Sequence, residues 1–139
     1  MERTLVLVKP DAMKRGYGGA IIGRLQEQGL KLIAMKMIHI DKALAERHYA
    51  VHKGKPFFND LISYITSTPV IAAVFEGEGA IALARKTMGA TDPAKAEKGT
   101  IRADFGNNIQ ENAVHGSDSV ETARKEISLY FTEKEIFSY

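Results

Sequence analysis

The sequence predicts an α/β fold: a split βαβ arrangement with helices on one face of a small antiparallel sheet. Three observations support it. Apolar, β-branched runs of strand length recur along the chain. Stretches with helical apolar spacing separate them. Glycine or proline marks most of the changes between the two. Because helices separate most strands, a doubly wound parallel sheet is the competing arrangement. The chain has 139 residues, 45% of them hydrophobic and 26% charged, which suits a single domain spanning 1–139.

Thr4–Val8 reads as a buried strand stopped by Pro10. Gly16, Gly18 and Gly19 suggest a turn. Ile21, Ile22 and Leu25 then fall at helical spacing, with Gly29 as the stop. Leu30–Ile40 fits either period, but it follows Gly29 without an N-cap, so a strand is expected. Asp41 can cap a helix to about Lys53, ended by Gly54 and Pro56. Phe57, Phe58, Leu61, Ile62 and Ile65 form a further apolar face, closed by Pro69. Val70–Phe75 reads as a strand, and Ala80–Met88 as a helix ending at Gly89. Ala90 to Glu111 is polar and reads as a long loop, the kind of segment that often carries function. Asn112–Val114 suggests a short last strand. Asp118 and Glu121 have capping-box spacing ahead of a helix whose face is Val120, Ala123, Ile127 and Tyr130. Thr132 and Glu135 repeat that spacing.

Composition excludes several classes. There is no cysteine, so disulfides, thiolate-bound metals and thiol nucleophiles are out. Lys and Arg number 19 against 17 Asp and Glu, and a net charge of +2 is too small to argue for nucleic acid. No apolar stretch is long enough to span a membrane, and no leader pattern precedes the first strand, so a cytoplasmic protein is expected. No Walker A loop or GxGxxG is present.

His48 and His52 stand at i and i+4, a metal-ligand spacing, but no glutamate follows His48 as HExxH requires. His39 reads as structural. The densest segment is Asn112-Ala-Val-His115-Gly-Ser-Asp-Ser119. A histidine at the end of an apolar run, before a helix cap, would sit at a sheet mouth facing a helix N-terminus that favours anions. Imidazole is partly neutral near pH 7 and can act as a nucleophile. A serine-hydrolase reading of His115, Ser117 and Asp118 fails, because groups so close in sequence do not line up as a triad. On local pattern, nucleophile and capping segment with an incidental histidine stand level. Lys9, Arg85 and Arg102 each read as solvated charges when taken alone. Joined with Thr91 and Asn112, they would make a donor set for a polyphosphate.

These residues match a known family. The chain resembles nucleoside diphosphate kinase along nearly its whole length. Glu2-Arg-Thr-Leu-Val-Leu-Val-Lys-Pro-Asp11 is similar to the family's first strand and corner, and Arg15-Gly16 continues it. His48-Tyr49, Pro56-Phe57-Phe58, Gly89-Ala-Thr91-Asp-Pro93 and Gly99-Thr-Ile-Arg102 follow in family order. Asn112-x-x-His115-Gly-Ser-Asp-Ser119 resembles the active-site signature, and Lys125-Glu126-Ile-Ser follows. In three places the sequence departs: Lys98 replaces a usual proline, Ala103 a usual glycine, and Ala20 a frequent glutamate.

The resemblance implies a ferredoxin-like sandwich with a four-stranded antiparallel sheet. It implies ping-pong transfer of a γ-phosphoryl group from a nucleoside triphosphate to a diphosphate, with broad base and sugar tolerance. His115 would be the nucleophile through Nδ1, oriented by Glu126 directly or through Ser117. Lys9, Tyr49, Arg85, Thr91, Arg102 and Asn112 would hold phosphates and sugar. His48 would support them, and Phe57 would stack on the base. Mg²⁺ would be held mostly by the phosphates. A homo-oligomer, hexamer or tetramer of dimers, is implied. A non-enzymatic nucleotide-binding relative is the alternative, marked by loss of the histidine, and His115 is present.

Overall fold

Leu5, Val6, Leu7 and Val8 are consecutive and all fully buried. A strand apolar on both faces needs cover on both faces. The computed structural model describes residues 1–139 and provides that cover. Strand β1 (Glu2–Val8) lies inside a four-stranded sheet with β2 (Lys31–Ile38), β3 (Val70–Gly77) and β4 (Val114–Gly116), in the order β2–β3–β1–β4. Every pairing is antiparallel, which removes the doubly wound parallel alternative. Val8 faces Ile71 on one side and Val114 on the other, and Leu7 faces His115.

Helices cover both faces of the sheet, which corrects the one-face expectation. Val6 and Val8 pack into a layer with Ile21, Ile22 and Leu25 of α2 (Gly18–Glu27), and Ala80, Ala84 and Met88 of α5 (Ala80–Met88). Leu5 and Leu7 pack into the opposite layer. It holds Ala45 of α3 (Lys42–His48), Phe58, Ile62 and Ile65 of α4 (Phe58–Ile65), and Tyr130 of α7 (Val120–Tyr130). The physical reason is the unbroken apolar run of β1 and β3, which leaves no polar face for water.

Other boundaries move for local reasons. Pro10 ends β1 but also opens a short helix α1 (Pro10–Lys14), since proline at the first helical position loses no hydrogen bond. Gly18 and Gly19 belong to α2 rather than to a turn. The helix after Asp41 stops at His48, and Ala50–His52 forms a single 3₁₀ turn. The expected loop from Ala90 to Glu111 contains α6 (Ile101–Phe105), where the Thr100 hydroxyl accepts the Ala103 N–H at 3.3 Å. Ala103 therefore sits inside a helix, where alanine is favoured over glycine by about 1 kcal/mol. The cap of α7 is Ser119, which accepts the Thr122 N–H at 3.1 Å, and not Asp118. The last strand begins two residues later than expected. Ala113 has φ +74°, and the Val114 N–H closes onto Asn112 O at 2.9 Å, a tight turn before the strand.

Candidate active site

The ends of β1 and β4 lie side by side, so Lys9 and His115 open onto the same space. Lys9, Tyr49, Phe57, Thr91, Arg102, Asn112 and His115 line one cavity of about 540 Å³, within the usual range for a small-molecule site. Seven expected residues, scattered over more than a hundred positions, are thus brought together. His52, Asp60, Leu61, Ile109 and Gln110 also line it, although no sequence pattern singled them out for this site. Arg85, in the last turn of α5, does not line the cavity. It stands close enough for its charge to oppose that of Arg102.

His115 is held by a chain of hydrogen bonds. Its Nε2 lies 3.0 and 3.1 Å from the two carboxylate oxygens of Glu126. The Ser117 hydroxyl donates to the same carboxylate at 2.6 Å and accepts the Leu5 N–H at 3.2 Å. With Nε2 as donor, the lone pair is on Nδ1. Glu126 reaches the ring from within α7, whose own N-terminal turn is capped by Ser119. Through the Glu126 side chain the helix meets His115. Burial works to raise the Glu126 pKa. The hydrogen bond and charge of His115 and the bond from Ser117 outweigh it and hold the carboxyl below its usual range. Glu126 is an anion at neutral pH.

His48 stands behind His115, its ring 4.8 Å away edge-on. Its Nδ1 is 3.0 Å from the Tyr130 hydroxyl, and its Nε2 is 3.8 Å from Glu126. Burial, helped by the neighbouring His115 ring, pushes its pKa down to about 3, so it is neutral. His52 is not part of this group, which removes the His48/His52 metal pair: the convergent ligand atoms belong to His48, His115 and Glu126. His39 bonds Thr66 O at 2.7 Å, a structural contact.

The cations are fixed before any ligand arrives. Lys9 Nζ donates to Asn112 Oδ1 at 2.9 Å and to Gln110 O at 3.2 Å, and the Asn112 amide donates to Thr91 O at 3.0 Å. Burial, then the charge of Arg102, lowers the Lys9 pKa to about 8 against the pull of Asp11. Arg102 ties Gly89 O at 3.0 Å to Val114 O at 2.9 Å. Burial and Arg85 lower its pKa to about 10, so it keeps its charge. Burial, then Glu126, raises the Tyr49 phenol to about 12, leaving it a neutral donor. Gly89 has φ +87°, and a β-carbon there would meet the Thr100 side chain at 2.5 Å. Only glycine allows the Arg102 segment to lie so close to the end of α5.

This arrangement can bind an anion with fixed donors and present an imidazole nitrogen to it. Comparison with known proteins points the same way. The nucleoside diphosphate kinase family model matches residues 2–136. The chain is 59% identical to the nucleoside diphosphate kinase of Dehalococcoides mccartyi, over all of this chain and 98% of that protein. To that of Thermomicrobium roseum it is 54% identical, over all of this chain and 93% of the other. The Aquifex aeolicus enzyme structure superposes with TM-score 0.95 at 44% identity, covering 98% of this chain and 99% of that one. The Halobacterium salinarum enzyme, solved with CDP, gives 0.96 at 47% identity, covering 99% and 92%. In sequence and in fold, the chain belongs to the nucleoside diphosphate kinase family.

Proposed function

We propose that His115 is the phosphoryl carrier of this kinase, with Nδ1 as the attacking atom. The observation that carries this reading is the Nε2–Glu126 hydrogen bond, which occupies one ring nitrogen and leaves the other with its lone pair. In the first half-reaction Nδ1 forms a bond to the γ-phosphorus and the bond to the bridging oxygen breaks. The diphosphate leaves with that electron pair. A second diphosphate then reverses the sequence on the phosphohistidine. Glu126 balances the positive charge that develops on the ring, and Ser117 keeps the carboxylate aligned. Phosphoryl transfer asks mainly for positioning and charge stabilisation. Lys9, Arg102 and Asn112 supply these at the phosphates, with Arg85 adding field from outside the cavity. Tyr49 and Thr91 serve as further polar contacts, and His48 backs the reacting ring.

Phe57 is 45% exposed, at the cavity mouth, which supports a stacking role. Stacking is tolerant of base identity, so acceptance of many nucleotides follows. Asp60 is the sole carboxylate lining the cavity. That donor set does not fit a protein cage for Mg²⁺ but does fit an ion carried in by nucleotide phosphates, whose charge it would partly neutralise. No helix is long and apolar enough to cross a membrane. β2 is an edge strand exposing Met35 and Met37, which supports a homo-oligomer whose size light scattering would give. Incubation with γ-labelled ATP should leave an acid-labile, base-stable label on the protein, and His115→Ala should carry none. A labelled Ala variant would remove His115 from the role.

A further inference from the structure

One residue beside the reacting strand is held in a conformation disfavoured for any side chain. Ala113 is the only non-glycine residue with positive φ, at +74°. With the Val114 N–H bonded to Asn112 O at 2.9 Å, residues 112–114 form a γ-turn of the rare, strained hand. Such a conformation persists only where its surroundings over-determine it. Here they do so from the corner that follows β1. Asp11 Oδ2 accepts the Ala113 N–H at 3.1 Å, and the Lys9 N–H donates to Ala113 O at 2.9 Å. The other oxygen of Asp11 accepts the Tyr64 hydroxyl, and the Asp11 N–H donates back to the Tyr64 oxygen at 3.2 Å. Asp11 is 4% exposed and does not line the cavity. With Tyr64 it lines instead a neighbouring cavity, which meets the candidate site at Asp60 and Gln110.

The gripped turn stands between two groups of the proposed machinery. Before it is Asn112, whose amide bridges Lys9 and Thr91. After it, two residues on, is His115. We infer that Asp11 is a positioning residue, oriented by Tyr64, which holds the γ-turn at Ala113 so that Asn112 and His115 face one phosphate. The inference rests on the reading of His115 as phosphoryl carrier. Release of the Ala113 N–H lets the residue relax toward negative φ, which turns Asn112 and His115 out of their shared register.

The test is the pre-steady-state rate of phosphohistidine formation from γ-labelled ATP, with circular dichroism as the check of folding. Asp11→Ala should lower that rate about 10²-fold, the cost of roughly 1 Å of misplacement, and Tyr64→Phe a few-fold. Glycine takes positive φ without steric conflict. The double variant Asp11→Ala/Ala113→Gly should therefore recover most of the lost rate, while a second strain-free stabilising substitution far from the turn, in α2, should not. Asp11→Ala as fast as the parent, or a folded double variant as slow as the single, overturns the inference. Should Asp11→Ala fail to fold, Tyr64→Phe with and without Ala113→Gly makes the same comparison. Absence of label on the parent protein would strike the reading of His115 instead, and is thereby distinguished.

Discussion

The floor and the mouth of the cavity are built on opposite plans. On the floor, Lys9, Asn112, Arg102 and His115 are each tied to at least one protein partner by a hydrogen bond of 3.2 Å or less. At the mouth, Phe57 and Ile109 are 45% and 61% exposed. There the Phe57 ring centroid lies 5.3 Å from that of the tilted His52 ring and 5.8 Å from the Lys55 ammonium. The difference teaches where the protein needs accuracy. A phosphoryl group in flight responds to small errors in donor position, so the floor is fixed in advance. A base that only has to be stacked needs a flat apolar surface and little else.

This contrast can be broken or sharpened by substitution. Arg102→Ala removes a fixed donor from the floor and should lower kcat about 10²–10³-fold; an unchanged kcat/KM would take Arg102 out of the site. Phe57→Ala should act on the mouth alone. Stacking is worth about 1–3 kcal/mol per base, which converts to roughly 5- to 150-fold in KM. The rise should be similar for purine and pyrimidine nucleotides, with kcat little changed. A fall in kcat without a change in KM would mean that the ring belongs to the floor.

The smallest effect at neutral pH concerns His48. Its pKa lies near 3 when folded and near 6.5 when unfolded. Between these values the unfolded chain binds more protons, so stability is full above about pH 6.5 and is lost as pH falls toward 3. Glu126, held below 4.5, acts in the same direction in stronger acid. Unfolding free energies measured across this window should fall with acid, and His48→Gln should flatten the slope. An equally steep variant would place the acid sensitivity elsewhere.

Most of the fold was legible, because burial writes itself into sequence as period and run length. β1, β3, α5 and α7 fall close to where their apolar patterns put them. α1 and α6 were not legible: each has five residues, too short for a period to develop, and Pro10 serves as strand stop and helix start at once. The second helical layer is implicit in the continuous apolar run of β1, which leaves neither face for water. At the site, residue types could be read and convergence could not. Lys9 and Asn112 are 103 positions apart, and only the β1–β4 pairing makes them neighbours. Asp11 and Tyr64, 53 positions apart, show no such link in sequence. Their signal is backbone geometry at Ala113, which no residue pattern encodes.

β1 has a consequence for how this protein can vary. It is one continuous backbone under two masters. Its side chains set the spacing of both helical layers, the amide of Leu5 steadies Ser117, and its next residue is Lys9. A volume change at Leu5 or Leu7 thus reaches the reacting groups within a few bonds, with no separating hinge. Thermal tolerance and turnover should be inherited together along this strand. Along α2 or the outer face of α4, where no such shared backbone exists, they are free to drift apart.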